Sequence, residues 1–286
     1  MLSSSVLGHL AQAGVGTLIL SGRQGRGVAH VFGRSHNGAR IRLAQYHIFQ
    51  NDEVRNRWSG RLVRSKLVNQ IRFLERANAS RRDLSCSMTP VLNRLRGLLK
   101  VVRNTSNMDR KDLRGMEGAA GHAYFSAYFS LFAPSLGATG RNRRPPRDPV
   151  NACLSLGYTI LHFEGVRILH QCGLDPLIGF FHEPSYSRES LACDMIEPLR
   201  PRIDDWVWES FRTRLIREDH FMIDKGACLL GKTGRRHFYA NFEPLSRALR
   251  KNLLRECRLL AKAYLLNSPN LPMDQHEEVD DEDTLS

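Results

Sequence analysis

The chain has 286 residues, 42% of them hydrophobic, enough to bury a real core in one large domain or two modest ones. Its 42 Lys and Arg against 29 Asp and Glu give a net charge of +13, and arginine strongly outnumbers lysine. The longest apolar runs fall well short of the roughly eighteen residues of a membrane span, and the six cysteines form no CxxC pair, which excludes a transmembrane helix, a zinc knuckle and an evident disulfide framework.

The start, MLSSSVLGHLAQAG, lacks the basic and long apolar regions of a secretion signal, and scattered cysteines in apolar patterns behave as small hydrophobes, so a cytoplasmic location is expected. Such a basic chain calls for a polyanion partner, and arginine favours bidentate phosphate contacts, so double-stranded DNA heads the list. Generic basicity without any nucleic-acid role is the alternative. Seven of the acids fall in the last thirteen positions with no Lys or Arg among them, so the body is more basic still.

Residues 1–11 read as a short helix. Residues 15–20 and 28–32 read as two strands around a glycine-rich turn, GRQGRG, which lacks the lysine and spacing of a phosphate-binding loop. From Ile41 the apolar period becomes helical, through Trp58, Leu62, Val63, Leu67, Ile71 and Leu74. Arg55, Arg57, Arg61, Arg64 and Arg72 fall between these positions and predict a basic outer face, a candidate track along a DNA backbone.

A helix is expected over 88–102 and another over 113–132, with Asp109 or Asp112 at its start. In the second, Gly115, Gly118 and Gly121 surround Glu117. Glycines in a helix lower its propensity and suit a closely approaching neighbour, so Glu117 is expected in a crowded place. The loop 133–147 clusters Arg141, Arg143, Arg144 and Arg147 as candidate DNA contacts. Asp148 and Pro149 open the next helix, which Gly173 ends near Cys172. Within it Glu164 is a rival acid for the site that reads as a structural or dimer-contact residue, and His162 and His170 read as surface residues.

The stretch 179–201, GFFHEPSYSRESLACDMIEPLRP, carries the most chemistry. Asp194 and Glu197 lie three apart, on one face of a helix, in a segment apolar enough to be core. Carboxylates there must be paired, protonated or bound to a cation. His182 precedes them across a loop that can fold back. Two acids and an imidazole suit Mg²⁺ or Mn²⁺, whereas ordinary ion pairs, Glu197 with Arg200 for example, serve equally well on this stretch alone. Pro201 begins a further helix, 219–239 reads as a strand-and-turn insert, and 242–266 as a long basic helix. The acidic end reads as disordered.

Four stretches in this order, LRGMEGAAGHAYF, RNRRPPRDPVNACLSLGY, GLDPLIGFFHEPSYSRESLACDMIEPLRPRID and CLLGKTGRRHF, resemble the CRISPR-associated endonuclease and integrase family called Cas-one, which inserts spacers into CRISPR arrays. The resemblance spans most of the chain from about residue 40. It implies that Glu117, His182 and Glu197 bind a divalent metal, with Asp194 as the additional catalytic acid beside it. It also implies a mainly α protein in which a β-rich N-terminal domain (1–40) precedes a large helical catalytic domain (41–267) and the acidic tail (268–286). A homodimer and assembly with a small Cas-two partner on duplex DNA are further implications. Relative to the family pattern roughly half of the β-domain is absent at the start of this sequence. A truncated, non-catalytic DNA-binding scaffold is the competing expectation.

Overall fold

A computed structural model describes residues 3–13, 15–21, 26–31, 39–142, 145–186 and 188–268. Most of the expected turn at 22–27 and the acidic end beyond 268 lie outside these residues. The chain is mainly α, as expected.

Helix α1 (Ser4–Gln12) opens on Ser3, whose hydroxyl accepts from the Val6 N–H. Strands β1 (Thr17–Ser21) and β2 (Arg26–Val31) form the expected antiparallel hairpin, from Thr17 opposite Val31 to Ser21 opposite Arg26, with a register shift between Ile19 and Leu20.

The long helical pattern divides in two. Helix α2 (Ala39–Phe49) stops before Asn51, whose side chain accepts from the Val54 N–H at 3.1 Å and starts α3 (Asp52–Ser80). On α3 the residues Trp58, Leu62, Val63, Leu67, Ile71 and Leu74 are all buried, at the three- and four-residue steps of one helix face. Each contributes roughly 1.5–3 kcal/mol by leaving water, which offsets the poor fit of so many arginines to a packed helix. Arg55 is the exception to the basic outer face: it is 4% exposed, pairs with Glu183 at 2.9 Å and lies over the Phe49 ring. A buried guanidinium needs both a carboxylate and a ring to replace water.

Helices α4 (Ser85–Asn104) and α5 (Arg110–Phe129) pack on α3, and Asp109 caps α5 by accepting from the Lys111 N–H. Asp148 caps α6 (Pro149–Gln171), accepting from the Asn151 N–H at 2.8 Å, with Pro149 first in the helix. Gly173, at φ +75°, ends it in the left-handed region that favours glycine. Glu164 holds Arg167 and Arg250, the structural role expected of it. His162 is not on the open surface: it is half-buried against Glu189 at 3.2 Å, and, although burial opposes it, bonding to Cys193 and Glu189 pushes its pKa up to about 9.

Helices α7 (Ser190–Ile196) and α8 (Arg200–Arg212) are joined by a 3₁₀ turn at Glu197–Leu199. Strands β3 (Phe221–Asp224) and β4 (Ala227–Leu230) form a second hairpin, and α9 (Lys232–Leu266) follows at once. It begins ten residues before the expected start. Gly234 does not break it; a Cβ there would stand 2.4 Å from the His220 carbonyl oxygen, so the glycine serves a close approach.

The core centres on α3, α5, α6 and α8. Phe73 meets Tyr124, Tyr128 and Trp208 at ring-centre distances of 5.7–6.1 Å. Among these rings lies Asp204, 1% exposed, accepting from the Tyr124 hydroxyl at 2.7 Å and from the Tyr158 hydroxyl. Burial raises its pKa to about 6, although the tyrosine bonds, Arg141 and Arg200 pull the other way. A raised carboxyl pKa favours folding of the protonated form, so that stability is present below the unfolded value near 4 and is lost as pH rises through about 6. Urea unfolding should therefore show the wild type losing roughly 3 kcal/mol relative to Asp204→Asn between pH 4 and pH 7.5.

Candidate active site

The stretch 173–182 is held from α2 and α3 before it reaches any catalytic group. Gln45, 1% exposed on α2, donates to the carbonyls of Asp175 (2.9 Å) and Ile178 (2.8 Å) and accepts from the Asp175 N–H (2.8 Å). One side-chain amide thus satisfies three backbone groups of the GLDP turn. Ser59 on α3 reaches the Phe180 carbonyl, and Tyr46 reaches the Asp175 carboxylate.

Asp194 on α7 then gathers the end of this stretch around itself. One oxygen accepts the N–H groups of Phe180 (2.8 Å) and Phe181 (2.9 Å). The other accepts the His182 N–H (3.1 Å) and the His182 Nδ1 (2.6 Å). Burial raises the Asp194 pKa, and His182 together with the backbone donors of Phe181 and His182 pulls it back. With Nδ1–H donating to a carboxylate, the hydrogen-bond network assigns the tautomer whose Nε2 lone pair is open. Asp194 is fully buried with both oxygens taken. Its bonds orient His182 and the backbone before it, whereas the resemblance implies an additional catalytic acid beside the metal.

Gly179 makes this packing possible. A Cβ there would lie 2.7 Å from the Asp194 carboxylate and 2.9 Å from the His182 carbonyl. Gly179→Ala should lower the thermal midpoint by several degrees, with a cost of about 1–3 kcal/mol for overpacking, which calorimetry checks.

Glu117 and Glu197 converge on one cation, the Lys66 ammonium of α3. Lys66 Nζ lies 2.6 Å from Glu197 Oε2 and also donates to Glu117 Oε1. Glu197 has a second base, Arg200, at 3.2 Å from its Oε1. Arg200 is in turn fixed 5.0 Å above the Tyr158 ring. Burial alone would raise the Glu197 pKa; Lys66, then Arg200, then His182 bring it down to about 2. Asn69 holds the same turn from α3, donating to the Pro198 carbonyl at 2.8 Å.

Among the described residues no three His, Cys, Asp or Glu side chains stand close enough together to hold an ion as they are. The donor chemistry nonetheless fits a hard divalent cation. Two carboxylates already share a positive charge, and Asp194 holds the His182 imidazole in one orientation. Asp194 and Glu197, expected on one shared face, bond different partners: Asp194 holds His182 and the backbone of 180–182, and Glu197 meets Lys66 of α3. The glycines around Glu117 do not serve close packing, since a Cβ at Gly115, Gly118 or Gly121 would meet nothing within 4 Å. They leave the solvent side of α5 open one turn beyond Glu117.

Arg141 turns inward, to Asn151 at 2.7 Å, to Ser155 and over the Tyr158 ring. A guanidinium so engaged fastens the loop rather than reaching outward. Arg147 is exposed, and Arg143 and Arg144 lie outside the described residues. Arg61 and Arg64 on α3 and Arg114, one turn before Glu117, are exposed. Lys66 escaped the sequence reading. Its signal is slight: it is the only lysine in α3, among six arginines.

The family model described as CRISPR associated protein Cas1 matches residues 1–244. A CRISPR-associated endonuclease Cas1 of Thermodesulfovibrio yellowstonii is 37% identical over 245 residues, 85% of this chain and 76% of that protein. Other matched relatives are longer, and the chain spans as little as 37% of them. A solved casposase bound to an integration product superposes with a TM-score of 0.77 at 20% identity, over 92% of this chain and 76% of the other, a likeness of fold. The Cas1-bearing chain of a partial Cas6-RT-Cas1–Cas2 complex superposes with a TM-score of 0.72 at 25% identity, over 94% of this chain and 82% of the other. The motifs quoted above, the helical architecture and a family match over most of its length agree, and the chain belongs to the Cas1 family of CRISPR-associated endonucleases.

Proposed function

We propose that this chain is a divalent-metal-dependent DNA endonuclease and integrase that inserts spacer DNA into CRISPR arrays. The observation that carries this reading is the convergence of Glu117 and Glu197, from α5 and from the turn after α7, on one shared positive charge. Glu117, Glu197 and His182 would hold Mg²⁺ or Mn²⁺. Bound there, the ion would act as a Lewis acid on a phosphodiester.

The rest of the machinery belongs to the chain. Asp194 keeps His182 in one tautomer and one orientation. Arg200, fixed on Tyr158, keeps Glu197 ionised. Arg61, Arg64, Arg114 and Arg147 supply exposed charge for the DNA backbone, which positions a duplex without reading its sequence. In transfer, the 3′-oxygen of the incoming strand forms a new bond to phosphorus as the bond to the departing 3′-oxygen breaks. With water in place of the hydroxyl the same arrangement cleaves. The solved Cas6-RT-Cas1–Cas2 complex supports a Cas2 partner, and the resemblance in sequence implies a homodimer.

A strand-transfer assay on purified protein, with and without that partner, tests the reading. Joined product that requires Mg²⁺ or Mn²⁺ is expected. Salt-dependent duplex binding with no strand breakage or joining at any concentration of either ion would instead establish the scaffold.

A further inference from the structure

We propose that Lys66 is a displaceable counter-ion of the metal site: its ammonium takes the position between Glu117 and Glu197, keeps the two carboxylates converged in the metal-free protein, and leaves when a divalent ion enters. This rests on the metal-dependent reading above and adds a residue that competes with the ion. The Lys66 and Glu197 side chains are 12% and 9% exposed, and Glu117 28%, so two acids face each other largely out of water. Without a cation between them they would repel, and the site would splay or fill with protons.

The choice of lysine matters physically. Its charge is a point on a flexible four-carbon stem, able to withdraw while α3 stays fixed, whereas a guanidinium held by a bidentate fork is bound in one geometry. The six other bases of α3 are all arginines, so lysine stands here against the local composition. Arg200 cannot be the displaced group, since it is packed over Tyr158 and meets the other oxygen of Glu197. An ammonium and a divalent ion together would set three positive charges against two negative ones in the same gap. The ion therefore enters only as Lys66 departs. A permanent structural ion pair would behave in the opposite way, since its removal would weaken the site.

Calorimetric titration of the full chain with Mn²⁺ decides between them. Lys66→Met should bind Mn²⁺ on the order of tenfold more tightly than the wild type, because no internal cation opposes the ion. Its metal-free form should melt lower and recover on adding Mn²⁺. Lys66→Gln, which keeps a hydrogen-bond donor without the charge, should follow the same direction. Equal or weaker Mn²⁺ binding in both variants overturns the proposal. If the wild type binds Mn²⁺ and Glu117→Gln abolishes this, that failure touches only the role of Lys66; if no form binds Mn²⁺, the metal-dependent reading falls with it. A measurement on the wild type avoids any folding defect. Acylation of the Lys66 amine, located by mass spectrometry, should rise as Mn²⁺ fills the site, and labelling that stays constant through saturation overturns displacement.

Discussion

Glu197→Ala and His182→Ala should each reduce Mn²⁺-dependent strand transfer on the order of 10³-fold or more, beyond the 10- to 100-fold typical of residues that only support a ligand. In the proposed site both side chains would be ligands to the ion. Neither has a neighbour able to replace it, because Asp194 is closed and Arg200 carries the wrong sign. Duplex affinity at fixed salt should change little, since exposed arginines elsewhere supply the backbone contacts. The paired measurement is strand transfer against duplex binding by anisotropy. Full transfer in both variants would remove these residues from the site. Parallel loss of transfer and binding would point to misfolding, which circular dichroism identifies. Glu197→Ala also leaves Arg200, buried against Tyr158, without its carboxylate, so a lower melting temperature should accompany the chemical loss.

The second large effect is expected at Asp194. Asp194→Ala would leave three backbone N–H groups and the His182 ring donor without an acceptor in a closed site. The cost should be about 3–5 kcal/mol, enough to unfold a marginal protein on modest heating. Asp194→Asn separates position from stability. Its volume is preserved, but one oxygen becomes an amide that cannot accept, so the imidazole loses its fixed orientation. Transfer should fall roughly 10- to 100-fold while the melting temperature moves less than in the alanine variant. Stability and transfer declining in strict proportion across the two variants would show that Asp194 acts on folding alone.

Much of the architecture is legible in local pattern. The caps at Asp109 and Asp148, the stop at Gly173 and the apolar steps of α3 are all read within one turn of their own chemistry. The departures occur where a residue answers to a distant neighbour. Gly234 looks like a breaker in the sequence and is a contact point with His220 in space. Arg55 falls at a polar position of a basic helix and is drawn inward by Glu183, 128 residues away. Arg141 looks like a DNA contact until Asn151 and Tyr158 claim it.

What the sequence alone determined about this protein is its helical class, its basic balance and the residue types of the site, because spacing, caps and motif order are properties of neighbouring residues. Tertiary structure decided which groups meet. Only folding brings α3, α5 and the turn after α7 to one place, so Lys66 could not be read as the partner of Glu117 and Glu197, which lie 51 and 131 residues from it. Nor could Asp194 be told apart from Glu197: three residues separate them in the chain, and only their distant partners, His182 for one and Lys66 for the other, distinguish them.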